Sequence, residues 1–141
     1  MNIDSIQNGI VIDHIAAGNA MKLYGLLNLA ELDVPVAMIS NVVSAKRGRK
    51  DIIKIDADIP VNIDVIGYID PGATVNIIKD GIRAEKMNIR MPAILTNVIK
   101  CKNPRCITTT EQELDHVFKL TDKENKVYRC VYCETKEERI I

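Results

Sequence analysis

Along the first ninety residues the apolar positions change period several times, and each period predicts an element. Residues 9–13, GIVID, form a short apolar run between polar neighbours, the pattern of a buried strand. Residues 19–31, NAMKLYGLLNLAE, place Leu23, Leu26, Leu27 and Ala30 at i, i+3, i+4 and i+7, which predicts a helix with one apolar face and Asn19 at its N-cap. That face reads as core packing. Residues 34–43, VPVAMISNVV, are β-rich, and residues 51–57, DIIKIDA, read as a further strand with Lys54 inside it. Residues 62–70, NIDVIGYID, carry a weak helical period interrupted by Gly67. Residues 73–80 and 81–89 read as a hairpin, with Asp80-Gly81 supplying the turn. The order β-α-β-β-α-β-β predicts two helices on one face of an antiparallel sheet, a ferredoxin-like α+β domain.

Met91-Pro92 interrupts this pattern, because proline breaks both helix and sheet ladders. Beyond it, VFKL (117–120) and KVYRCVYC (126–133) read as strands around a turn at residues 121–125. All four cysteines lie in this part: Cys101 and Cys106, then 23 residues, then Cys130 and Cys133. Two close pairs separated by a hairpin-sized insert are the spacing of a four-cysteine zinc site, each pair offering two thiolates from a tight turn. Two disulfides, or an iron centre with the same four sulfurs, are the alternatives. Four thiolates complete a tetrahedral shell and leave no position for a catalytic water, so the expected metal is structural. His116, between the pairs, is then expected to be a surface or packing residue. The chain is expected to divide near residue 95 into a module of residues 1–93 and a small zinc-ribbon-like module of residues 98–141. The second is too short for a large core, and metal binding is expected to supply part of its folding free energy.

Charge and composition narrow the function. The 141 residues carry 19 basic and 19 acidic side chains, which excludes a histone-like polyanion binder. No apolar stretch is long enough to predict a membrane span. The opening MNIDSIQNGIVIDH lacks the basic start and apolar run of a secretory signal, so a cytoplasmic protein with reduced thiols is expected. Lys46, Arg47, Arg49, Lys50 and Lys54 fall within nine residues. A solvated loop explains most such clusters, but Lys50 and Lys54 share a face, and an ammonium among Ile52, Ile53 and Ile55 needs water or an anion. A phosphate-bearing small ligand satisfies both. Asp13-His14 has no third partner and no nucleophile, which suits binding better than catalysis. A zinc-ribbon nucleic-acid binder is the second reading. Against it, the zinc module is neutral and residues 44–56 contain no aromatic for stacking. An independent enzyme is the third, with no catalytic constellation to support it.

GIVIDHI (9–15), GRKDIIKID (48–56), ATVNII (73–78) and the cysteine spacing together resemble the regulatory chains of aspartate carbamoyltransferase, in order and over nearly the whole chain. The resemblance implies a ferredoxin-like allosteric domain followed by a small all-β, rubredoxin-like zinc domain, with no catalytic activity. It implies nucleoside triphosphate effectors of the CTP, ATP and UTP class, self-association into regulatory dimers, and attachment of the second domain to catalytic chains in pyrimidine biosynthesis. Neither nucleic acid nor membrane is an implied partner. By matching positions, Asp13, His14, Lys50, Lys54, Asn76 and Lys86 are implied polar effector contacts. Ile6, Val11, Ile52 and Ile78 are implied pocket positions, Cys101, Cys106, Cys130 and Cys133 zinc ligands, and Asn103, Tyr132 and Glu134 contacts to the catalytic chain. Gly81 and Asn88 depart from relatives that carry an aromatic residue and an arginine there.

Overall fold

A computed structural model describes residues 6–45 and 48–137. The chain divides into two compact units, residues 1–90 and 91–141.

The first unit runs β1 (Gly9–Ala16), α1 (Ala20–Leu26), a 3-10 turn (Leu29–Glu31), β2 (Val36–Ser44), β3 (Gly48–Ile55), α2 (Ile63–Ile69), β4 (Thr74–Lys79) and β5 (Ile82–Asn88). The strands form one sheet in the order β2-β3-β1-β4-β5, and every pairing is antiparallel. Alternation decides its two faces. Ile10, Ile12, Ile53, Ile55 and Val75 are at most 2% exposed and join Leu23 of α1 and Ile66 and Tyr68 of α2 in the core. The alternate positions, Val11, Ile52, Lys54 and Asn76, are only half-buried.

The helix expected over 19–31 is shorter. Asn28 turns left-handed at φ 56, so the apolar period continues while the helix does not. Asn19 holds the N-cap position of α1 without a side-chain capping bond. Asn62 caps α2 instead, accepting from the Asp64 and Val65 N–H groups at 3.0 and 3.3 Å. The β4–β5 hairpin turns on Asp80 and Gly81 at φ 53 and 77, the left-handed pair of a type I′ turn. Gly9 is required by close approach: a Cβ there would lie 2.2 Å from the Ile55 carbonyl oxygen.

Asp51 ties the unit together. Its side chain is 1% exposed. Oδ2 accepts from Gly18 N–H at 2.9 Å and Ala20 N–H at 3.2 Å, and Oδ1 accepts from Asn41 N–H at 2.8 Å. One carboxylate thus satisfies the turn after β1, the first residue of α1 and a register break in β2. Asp70 acts similarly, accepting from Ala16 N–H at the end of β1 and from Gly72 N–H after α2.

The second unit comprises β6 (Ile94–Thr96), α3 (Ile107–Thr110), β7 (Val117–Asp122) and β8 (Val127–Cys130), with the strands in the order β6-β7-β8. The strand expected over 126–133 ends at Cys130, where the chain turns to present Cys133. β6 and α3 carry no sequence period, being three and four residues long. Leu95, Phe118 and Tyr128 are at most 1% exposed, and the Tyr128 hydroxyl donates to the Pro92 carbonyl at 2.7 Å.

Replacing Asp51 by Ala leaves three backbone N–H groups without an acceptor. The expected loss is about 3 kcal/mol or more, read as a lower urea midpoint for the first unit. Asp51→Asn, which keeps an oxygen in place, is expected to lose less.

Candidate functional site

Two sites assemble from the predicted residues, one in each unit. The first lies on the half-buried face of the five-stranded sheet. Strand register puts Lys54 opposite Val11, Val11 opposite Asn76, and Asn76 opposite Lys86. These four positions therefore form one row across β3, β1, β4 and β5, all facing the same way. Ile52 lies two residues along β3 on the same face, and Ile78 two residues along β4, opposite Gly9. Ile6 is buried just before β1, its Cγ2 close to where a Gly9 side chain would start.

Asp13 and His14 sit at a break in the β1–β3 register. Asp13 accepts from its neighbour's N–H at 2.6 Å, and His14 has a left-handed φ of 57. The imidazole Nδ1 then reaches the Thr74 hydroxyl at 3.1 Å. Lys50 Nζ lies 3.0 Å from the Asp13 carboxylate. Burial alone would raise the Asp13 carboxyl, but the hydrogen bond from Lys50, the His14 N–H and the nearby positive charges outweigh it and hold it below its usual value. Asp13 and Lys50 thus satisfy one another at one end of the row. Asn76 is the opposite case. Its Nδ2 donates to the Val11 carbonyl at 3.5 Å, while its buried Oδ1 has no partner. Lys46 and Arg47 of the basic cluster lie outside the described residues. Arg49 donates to the Asn41 carbonyl at 3.4 Å.

The second site is the thiol cluster. The four Sγ atoms all lie within 4.8 Å of one another. Cys101 and Cys133 are 3.5 Å apart, and Cys106 and Cys130 3.7 Å apart. Metal–sulfur bonds of about 2.3 Å at tetrahedral angles separate the sulfurs by about 3.8 Å, so the cluster fits one tetrahedral zinc and exceeds disulfide length. No other group of three or more potential ligands is found among the described residues.

Burial pushes the Cys101 thiol up to about 12 and also raises Cys130. At Cys133 burial is outweighed by hydrogen bonds from Thr135 and Asn103, which bring it down to about 6. Cys133 thus gives up its proton more readily than the buried Cys101 and Cys130, and a metal held by all four sulfurs would displace the protons that remain.

The loops that carry the thiols are cross-linked. Asn103 accepts from Arg105 N–H at 3.0 Å and donates to the Thr135 hydroxyl at 3.4 Å, bridging the two cysteine loops. Glu134 is left-handed at φ 63, and its N–H donates to the Cys130 carbonyl at 2.8 Å. Tyr132 is 50% exposed between them. His116 has a definite partner: its Nδ1 accepts from Cys101 N–H at 3.1 Å. Asn97 holds His116, its carbonyl oxygen Oδ1 accepting from His116 N–H at 2.9 Å and its own N–H donating to the His116 carbonyl. Sequence spacing had no means of finding this contact, because His116 is 15 residues from Cys101.

The geometry defines a two-part protein: a one-sided ferredoxin-like sheet with a cationic row, and a small unit built around a four-thiolate metal site. Known families carry the same two parts in the same order. Residues 1–90 match the allosteric domain of the aspartate carbamoyltransferase regulatory chain, and residues 93–141 match its metal binding domain. The regulatory chain of Clostridium acetobutylicum is 46% identical, covering 95% of this chain and 92% of its own length. That of Clostridium tetani is 49% identical over 95% and 94%, and that of Bifidobacterium longum 40% identical over 95% and 96%. The chain belongs to the aspartate carbamoyltransferase regulatory chain family. It is therefore a regulatory rather than a catalytic subunit, with an allosteric and a metal-binding domain.

His116→Leu leaves the Cys101 N–H without its acceptor. The expected result is a roughly 10–100-fold loss in metal affinity, measured by competition with a chromophoric chelator. His116→Asn, which can present an oxygen near the Nδ1 position, is expected to recover most of it.

Proposed function

We infer that the open sheet face binds nucleoside triphosphate effectors and that the thiolate unit attaches the chain to the catalytic subunit. The observation that carries the first half is the row Lys54–Val11–Asn76–Lys86: two cations flank an apolar position and an amide whose buried oxygen lacks a donor. Buried acceptors are ordinarily paired, and a turn of the Asn76 amide about its last side-chain bond would bring this oxygen to a nucleobase or ribose donor on the open face. Lys54 and Lys86 would meet phosphates, and Lys50 would be shared between Asp13 and the ligand. His14 and Asp13 would hold the ribose or base, with Ile6, Val11, Ile52 and Ile78 forming the apolar floor. The absence of any Walker-type loop fits binding without hydrolysis.

For the second half, Tyr132, Glu134 and Asn103 stand on or between the cysteine loops, so the metal fixes the surface they would offer. The loops have few apolar residues of their own, and without the metal that surface has little to hold it. Pairing of regulatory chains through the first domain, and work in the cytoplasm of a pyrimidine-synthesising cell, complete the reading. Regulation by this route requires the effector to favour one quaternary state, and its reach is limited to its affinity difference between the states.

Lys54→Ala and Lys86→Ala are each expected to weaken CTP or ATP binding by about tenfold or more in calorimetric titration, the scale of one charge-assisted bond. Unchanged affinity in both would remove the effector assignment. Stripping the metal from the assembled enzyme is expected to release catalytic subunits that remain active, seen as a fall in mass on a sizing column. An assembly that survives complete metal removal would contradict the second half.

A further inference from the structure

The second unit has its own row of cations, outside both sites above. One face of its sheet is core, with Leu95, Phe118 and Tyr128 at most 1% exposed. On the other face, register places Ile94 opposite Lys119, Lys119 opposite Arg129, and Arg129 opposite Lys136 in the segment after the second cysteine pair. All four side chains are exposed. Three cations thus stand abreast on adjacent strands, at the spacing where like charges repel. Among the described residues no carboxylate forms an ion pair with any of them. Arg129 donates only to the Glu134 carbonyl, at 3.1 Å.

An ordinary solvated face accounts for scattered lysines. It does not account for three directly opposed cations, because each pairing costs stability that an intervening acidic residue would recover. The surroundings also point to a folded partner. Ile94 is 52% exposed at one end of the row, and Val131 and Tyr132 are 45% and 50% exposed at the metal end. An apolar fringe around fixed charges is the composition of a protein interface. The row also runs into the metal loops: a groove beside it is lined by Lys119, Arg129, Cys130, Val131 and Glu134. Nucleic acid suits it less. Residues 91–141 hold nine basic and eight acidic side chains, and Phe118 and Tyr128 are buried, leaving Tyr132 as the one exposed aromatic among the described residues of this unit.

We propose that the Lys119–Arg129–Lys136 row docks onto a carboxylate-bearing surface of the catalytic subunit, continuous with the contact made by the cysteine loops. This rests on the reading that the metal-binding unit attaches to the catalytic subunit. It adds the chemistry of the surface recognised and the sheet face that recognises it. The row would set the rate and salt dependence of assembly, while the metal loops supply the fitted contact.

The test uses the full chain and purified catalytic subunit, with association measured from low to high ionic strength. Lys119→Glu/Arg129→Glu/Lys136→Glu is expected to weaken binding by about a hundredfold or more at low salt, with the gap closing as salt screens the charges. Lys119→Gln/Arg129→Gln/Lys136→Gln should lie between this variant and the unaltered chain, and it decides the matter if the Glu variant loses its metal. Equal affinity of the unaltered chain and the Gln variant at low salt would overturn the proposal and leave the assembly reading standing. No binding by the unaltered chain would overturn both. Loss of nucleic-acid binding in the Gln variant, with catalytic-subunit association unchanged, would transfer the row to a different partner and equally overturn the proposal.

Discussion

Two helices of seven residues each can cover only one face of a five-stranded sheet, and that limit organises the first unit. On the covered face the requirement is dense apolar packing, met by Ile10, Ile12, Ile53, Ile55 and Val75. On the uncovered face the same alternation delivers whatever residue falls between those isoleucines. In this chain those are Val11, Lys54 and Asn76, with Lys86 on the neighbouring strand. The site is thus the complement of the core. Any slip of register by one residue would bury the lysines and expose the isoleucines, so the hydrophobic effect that stabilises the sheet also fixes the site.

The second unit answers a different difficulty. Its strands are six residues or fewer, and its apolar core is small. Three of the four cysteines are buried and contribute to that core as well as to the metal shell. A bond network therefore replaces area. The hydrogen bonds from Cys101 N–H to His116 and from Asn103 to Thr135 hold the loops in register with the metal site. Where the core is small, such polar contacts carry a larger share of the specificity of the fold.

The legible parts of the chain were those with a period or a fixed spacing. Seven elements of the first unit follow from alternation, helical period and the Asp80-Gly81 turn, and the thiol cluster follows from two short cysteine spacings. The rest depended on single residues whose effect is set at long range. Asn28 ends α1 by adopting a left-handed conformation open to asparagine but not compelled by sequence. Asp51 opens the expected strand DIIKIDA and reads as a polar strand end. It is buried because the turn after β1 and the break in β2 both direct N–H groups at it. β6 is recognisable only through its partner β7, which a three-residue run cannot announce. The cation row is invisible for the same reason: Lys119, Arg129 and Lys136 are neighbours through strand pairing alone.

On the reading proposed here, coupling begins at β3. Lys54 would meet the effector from the open face, while Asp51, three residues earlier on the same strand, holds the start of α1, the turn after β1 and the break in β2. The left-handed residues His14 and Asn41 lie where the ladders of β1 and β2 lose register against β3. Strands with such breaks can shift locally without unzipping the whole sheet. A ligand spanning β3, β1, β4 and β5 would favour one setting of those strands over another, and the buried Asp51 network would carry the preference to α1. The free energy available for regulation is then the difference in ligand contact between the settings. On that reading, the three hydrogen bonds to Asp51 would let a few lysine–phosphate contacts be felt beyond the sheet.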